Sequence, residues 1–166
     1  LVGFSQRTAI SNSHASGAVT VGTDSTLIGG LVGFNKINGS ISSSYATGAV
    51  SGGDGSTSIG GPGGANSSTG TVSNSYATGT VSGGNMVEGL GGLAGGNSGA
   101  VANSYSSGSV AAGTGSTSVG GLVGYAGVGS SATASYWDTE TSGQSTSAGG
   151  TGLTSAQMKQ QASFAG

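Results

Sequence analysis

The chain has 166 residues, 38 of them Gly, with aromatic and charged residues at 5% each and no Cys. A net charge of −2 leaves no basic footprint for nucleic acid or an anionic membrane surface, and the lack of Cys removes disulfides and thiolate metal sites. So few large side chains argue against helices packed around a core, while a hydrophobic third that recurs in register argues against a disordered linker.

Mean hydropathy is slightly positive, yet no run approaches the roughly 18 apolar residues of a membrane span, and no charged-then-apolar signal peptide opens the chain. Residues 1–27 read as a partial copy of a repeat, so the sequence reads as a piece of a longer array. Complete copies open at Ile28-Gly29-Gly30, Ile59-Gly60-Gly61, Leu90-Gly91-Gly92 and Val119-Gly120-Gly121, at steps of 31, 31 and 29 residues. The resulting copies are 28–58, 59–89, 90–118 and 119–150. Ser44-Tyr45, Ser75-Tyr76, Ser104-Tyr105 and Ser135-Tyr136 follow these openings by 17, 17, 15 and 17 residues, and Ser13-His14 holds the same place in the partial copy. From the aromatic residue to the next apolar-Gly-Gly the spacing is always 14. The two-residue deletion in copy 90–118 therefore falls between the two anchors, in a turn.

Within the copies, apolar and small polar positions alternate in short β-branched stretches punctuated by Gly, the pattern of strand, turn, strand. Four residues before the aromatic stand Ile10, Ile41, Val72, Val101 and Ala132; five after it stand Val19, Val50, Val81, Val110 and Thr141. Both columns are expected to face inward. Leu1, Leu31, Pro62, Leu93 and Leu122, followed by Val32, Gly63, Ala94 and Val123, form a further apolar pair of columns. Pro62 lacks a backbone donor and predicts a lost ladder bond, as a local defect or a turn. Asn35, Asn66 and Asn97 predict an amide ladder at a turn. Gly17, Gly48, Gly79 and Gly108 predict a corner that needs positive φ or close packing.

One copy cannot bury its apolar side alone, whereas stacking copies pairs each strand with its equivalents above and below. Equivalent residues then lie roughly 4.7–4.9 Å apart, so a charged column would repel itself along the stack, which accounts for the scarcity of charge. The reading is a β-solenoid over residues 1–150, with the choice between one large coil and two small ones per repeat left open. Residues 151–166 read as a helical tail or junction to a next module. Thr154 and Gln157 form a capping box, Leu153 and Met158 a hydrophobic staple, and the helix runs to about Ser163.

The strings GGLVGFN at 29–35, NSYATGTVSG at 74–83 and GGLVGYAG at 120–127 resemble the GLUG repeat of large secreted bacterial proteins, including filamentous-haemagglutinin-like adhesins. The tail from Ser135 resembles the segment that closes such arrays, while GGPGGANSSTG at 60–70 departs from the LVG element. The resemblance implies an all-β parallel β-helix of about five ~31-residue repeats with a short C-terminal helix. It also implies an extracellular or cell-surface location and a noncatalytic role as stalk or adhesive surface, meeting an unidentified receptor or glycan and the neighbouring modules of its own longer chain. It carries over no catalytic, cofactor-binding or metal-binding residues.

The residues themselves offer few chemical candidates. His14, the only histidine, lies in the aromatic column with no nearby carboxylate to orient it as a base. Asp138 and Glu140, at i and i+2 on a strand, would share a face roughly 6–7 Å apart, near the spacing of glycosidase carboxylate pairs. That pair carries the alternative of a carbohydrate-active β-helix enzyme. Trp137 could stack on a sugar but reads as end-cap packing. Asp24 and Gly53-Asp54-Gly55 supply too few acidic oxygens for calcium. The column Ser16, Thr47, Thr78, Ser107, Asp138, with Ala18, Ala49, Thr80, Ser109 and Glu140 two residues on, carries the other alternative, an ice-binding face, although it gives Thr-x-Thr only once.

Overall fold

The computed structural model describes residues 2–164; Leu1, assigned above to an apolar column, lies outside the described residues. The repeats from 28 to 118 each make one coil of five short strands, the repeat 119–150 supplies four, and equivalent strands of successive coils join five parallel sheets. Sheet 1 contains Val2–Gln6, Val32–Lys36, Gly63–Asn66, Ala94–Asn97 and Val123–Ala126. Sheet 2 contains Ala9–Ser11, Ser40–Ser42, Thr71–Ser73, Ala100–Ala102 and Ser131–Thr133. Sheet 3 contains His14–Ala15, Tyr45–Ala46, Tyr76–Ala77, Tyr105–Ser106, Tyr136–Asp138 and, closing the stack, Thr151–Leu153. Sheet 4 contains Val19–Thr20, Val50–Gly52, Val81–Gly83 and Val110–Ala112, and sheet 5 contains Thr26–Gly29, Thr57–Gly60, Glu88–Gly91 and Thr117–Gly120.

The register is the sequence repeat made physical. Val72 pairs with Ile41 below and Val101 above, Val81 with Val50 and Val110, and Tyr76 with Tyr45 and Tyr105. One repeat is thus one large coil. Asn66 pairs with Asn97, 31 residues away, but Thr71 pairs with Ala100, 29 away. The deletion is therefore confined to the turn between sheets 1 and 2, where a turn can shorten without disturbing either ladder.

The predicted columns face the interior. Ile41 and Val101 are fully buried and Val72 nearly so, with Ile10 and Ala132 packed against them in a core that also holds Leu31, Val32, Leu93, Leu122 and Val123. A second cluster, Ile28, Val50, Ile59, Val81, Val87, Leu90 and Val110, fills the space between sheets 4 and 5. Each such side chain contributes about 1.5–3 kcal/mol relative to exposure. Where the two clusters meet, the coil is pinched. A Cβ on Gly61 would stand 2.7 Å from the Ala77 Cβ, and one on Gly92 2.7 Å from Ser106 Oγ. The second Gly of the apolar-Gly-Gly opening is therefore set from two sides, by the carbonyl of its equivalent one coil on, which a Cβ on Gly30, Gly61 or Gly92 would meet first, and by the opposite wall.

The corner between sheets 3 and 4 has the same cause. Gly48, Gly79 and Gly108 do not adopt positive φ; instead a Cβ on each would run into the carbonyl oxygen of the Gly one coil below. Of the two reasons offered for this column, close packing is the one that operates. Pro62 likewise sits at the corner before sheet 1, and its carbonyl accepts from both Leu31 N at 3.2 Å and Val32 N at 2.8 Å. Leu93, one coil on, donates its N–H to Leu122 O at 2.9 Å, the bond Pro62 cannot make, and pairing resumes at Gly63. The bend itself is common to every coil, with Leu31, Leu93 and Leu122 at the same corner, so the departure from the LVG element costs one ladder bond and adds no turn.

One inward column ends early. Thr141, placed by the repeat above Val110, instead lies exposed in a single α-helical turn, Thr139–Ser142, because the chain leaves the coil at Asp138. The tail's helical part takes the form of two 3-10 turns, Gln157–Lys159 and Gln161–Phe164, separated by an extended Gln160. The capping box is present: Thr154 N donates to Gln157 Oε1 at 2.9 Å and Gln157 N to Thr154 Oγ1 at 3.2 Å.

Candidate functional site

Three kinds of side-chain column repeat along the stack. The first is aromatic. The first four strands of sheet 3 are two residues long, and in them the small residue (Ala46, Ala77) is buried while the Tyr points out, half-buried. The rings of His14, Tyr45, Tyr76 and Tyr105 stack in sequence at centroid distances of 5.1, 4.8 and 5.2 Å, within 12° of parallel. These separations are close to the inter-strand distance itself. His14 is thus an aromatic rung, with one face on Tyr45. Burial, and after it the neighbouring Tyr76 phenol, raises the Tyr105 hydroxyl above the usual tyrosine range. Tyr136 holds the next position in backbone register, but its ring meets Phe164 edge-on at 5.0 Å.

The second feature is a set of hydroxyl and amide ladders that the Ser-Tyr anchor concealed. Ser44, Ser75, Ser104 and Ser135 are buried. Each Oγ donates to the carbonyl two residues back, at 2.7–2.8 Å, and accepts the N–H of its equivalent one coil below, at 3.1–3.2 Å. In sequence these serines served only as register marks; their burial explains why the position is Ser, since a hydroxyl both donates and accepts. The Asn column forms the predicted ladder, with Asn35 Nδ2 donating to Asn66 Oδ1 and Asn66 Nδ2 to Asn97 Oδ1, both at 2.9 Å.

The turn beyond sheet 4 carries a third column. Asp54 Oδ1 accepts from Asn85 N at 2.7 Å, and Asn85 Oδ1 accepts from Thr114 N and Oγ1 at 3.0 and 2.9 Å. Asp54 therefore caps the turn above it. Among the described residues no three His, Asp or Glu side chains come together as a metal cluster, and no helix is long and apolar enough to cross a membrane. Thr78 and Thr80 flank Gly79 at the corner between sheets 3 and 4. The single Thr-x-Thr therefore bends around an edge and does not lie on a flat strand row.

The carboxylate pair is a correction. Asp138 and Glu140 do not share a strand face: Asp138 ends the Tyr136–Asp138 strand and is 4% exposed, while Glu140 lies in the helical turn. Asp138 Oδ1 caps that turn by accepting from Glu140 N at 2.9 Å and Thr141 N at 3.1 Å, and its Oδ2 accepts from Ser155 Oγ at 2.7 Å. Glu140 Oε2 accepts from Ser155 N at 2.9 Å. Both carboxylates thus anchor the tail. Trp137, 6% exposed, covers Gly121 where the coils below carry Ala or Ser, and its Nε1 donates to Gln144 O at 3.0 Å. The segment after it takes up the open ends of the last ladders: Thr146 O accepts from Gly121 N, Ser147 Oγ from Val123 N, and Gln144 Nε2 donates to Val110 O.

Burial pushes the Asp138 carboxyl up, but the hydroxyl of Ser155 and the N–H groups of Thr141 and Glu140 outweigh it and hold it below the usual carboxylate range. A carboxylate depressed on folding stabilises above its unfolded value, about 3.9, and that contribution is lost as pH falls through the folded value. Fluorescence of the sole Trp is therefore expected to stay constant from neutral pH to about 4 and to shift red below it. In Asp138→Asn the red shift is expected to be present already at pH 7. An acid transition at Trp137 identical in both proteins would separate the cap from this carboxylate.

No curated protein and no solved structure matches the chain. Residues 24–51 match the family described as the GLUG motif. The matched segment spans one circuit of the coil, from sheet 5 through sheets 1, 2 and 3 into sheet 4, and the parallel register repeats that geometry above and below it: the chain carries a GLUG repeat region.

Proposed function

We propose that the chain is a noncatalytic repeat segment of a large secreted or surface-anchored bacterial protein, where it acts as a stalk or adhesive surface. The observation that supports this best is the use of the chemistry-bearing side chains. The buried Asn and Ser columns and Asp54 are spent on coil-to-coil bonds, and both members of the one close carboxylate pair hold the terminal cap. What remains outward is a set of neutral columns on a rod that lengthens by roughly 4.7–4.9 Å per coil. Such a segment presents side chains at fixed spacing and gains length by adding coils.

The test is location. Antibody against the chain is expected to label intact cells of the source bacterium, and brief protease treatment of those cells to remove the signal. Labelling only after permeabilisation would overturn the reading.

A further inference from the structure

The outer face of sheet 1 carries a column that the repeat leaves uneven. Phe4 and Phe34 are successive rungs, then Ala65 and Gly96 take the same place, and Tyr125 restores an aromatic in the next coil. The copy that departs from the LVG element at 60–70, and the next, which reads Leu93-Ala94-Gly95 in its place, are thus the two that lose the ring. The result is a hollow of about 440 Å³ lined by Phe34, Ser58, Ala65, Gly96, Ser98 and Tyr125 among others, within the size range of small-ligand sites. Phe34 and Tyr125 are three coil steps apart, roughly 14 Å.

The walls are held in place from outside. Phe4 meets Phe34 edge-on at 5.7 Å, and Lys36 Nζ lies 5.9 Å from the Phe34 ring centroid. Tyr125 is 51% exposed at the other end. On the floor, Ser58 adopts a left-handed φ of 55°, and its Oγ lies 3.7 Å from where a Cβ on Gly96 would stand. Ser58 and Ser98 stand outside the hydroxyl ladders that consume Ser44, Ser75, Ser104 and Ser135.

We infer that this hollow is a binding site for a short neutral oligosaccharide lying along the stack axis. A sugar ring has an apolar C–H face, which suits Phe34 and Tyr125, and a hydroxyl edge, which suits Ser58 and Ser98. No carboxylate, ammonium or guanidinium group lines the hollow itself; the one ammonium beside it, Lys36, is placed over the Phe4 and Phe34 rings, so the lining selects for a neutral ligand. A peptide strand finds no purchase, because the backbone of the sheet 1 strands beneath is already paired above and below. The inference goes beyond the stalk reading and does not depend on it: a surface stalk that binds no sugar fails here alone.

The test is an NMR titration of the whole ¹⁵N-labelled chain with cellotriose, maltotriose and laminaritriose, and with trigalacturonate as the charged counterpart. At least one neutral trisaccharide is expected to give saturable shifts at the amides of Ala65, Gly96 and Ser98, with Kd about 1 mM or tighter. Ala65→Phe, which restores the missing ring, is expected to abolish the shifts. Tyr125→Ser, at an exposed site, is expected to weaken binding about tenfold. Both variants should keep the remaining spectrum. The inference is overturned if none of the neutral trisaccharides saturates, if binding survives Ala65→Phe, or if trigalacturonate binds as tightly.

Discussion

Gly79→Ala is expected to destabilise the chain by about 3 kcal/mol, whereas Gly17→Ala, the same change in the same column, is expected to be neutral or to stabilise by about 0.4–1 kcal/mol. A Cβ on Gly79 would run into the backbone carbonyl of Gly48, and one on Gly108 into that of Gly79, whereas nothing lies within 4 Å of a Cβ at Gly17. Backbone cannot swing aside as a flexible side chain can, so the coil corner must open and strain the pairing of sheets 3 and 4. At Gly17 only the unfolded chain loses freedom. Urea midpoints of the two variants against the parent protein read the difference. Equal effects of the same sign would mean that the column reflects chain flexibility and not contact between coils.

Asn66→Asp keeps the side-chain shape and is expected to cost about 3–5 kcal/mol at neutral pH. Asn66 is 3% exposed and is the middle rung of the amide ladder. As a carboxylate it still accepts from Asn35, but its lost N–H leaves Asn97 Oδ1 and the carbonyl of Gly70 facing a buried negative charge. Desolvation raises the folded pKa of such an acid. Its protonated form is therefore favoured by folding, and the variant should regain stability as pH falls from neutral toward the unfolded value of about 3.9. Thermal unfolding of parent and variant at pH 7 and pH 4.5 checks this. A variant equally stable with the parent at pH 7 would show that the amide ladder contributes little.

Much of the coil was legible because the stack repeats its own environment. A position that is inward in one copy is inward in the next, so Ile41, Val72 and Val101, or Asn35, Asn66 and Asn97, declare themselves by recurrence. The division of each repeat into five strands was not legible, because two- and three-residue strands of Ser, Ala and Gly are too short to show an alternation. The last coil misled for the opposite reason. Extending the columns arithmetically placed Thr141 above Val110 and put Asp138 and Glu140 on a strand, but the tertiary demand there is closure. Asp138 as an N-cap and Gly143 in the left-handed conformation at the C-terminus of the turn are ordinary helix-boundary signals, and they lay hidden under a repeat that fitted everywhere before.

The candidate site shows the same division. The GGPGGANSSTG departure was visible as an irregularity, but its consequence depends on register: only when Phe34, Ala65, Gly96 and Tyr125 are known to share one outer column does the missing ring become a hollow. The Ser ladder was hidden because the polarity of Ser says nothing about burial.

The account rests on one coil per repeat, with parallel pairing between copies and none within a copy. Inter-strand NMR contacts test this most directly. The backbone protons of Val72 are predicted to show cross-strand contacts to residues around Ile41 and around Val101, in the slanted pattern of parallel strands. Antiparallel contacts between 40–42 and 50–52, which would fold each repeat into its own hairpin, would contradict it.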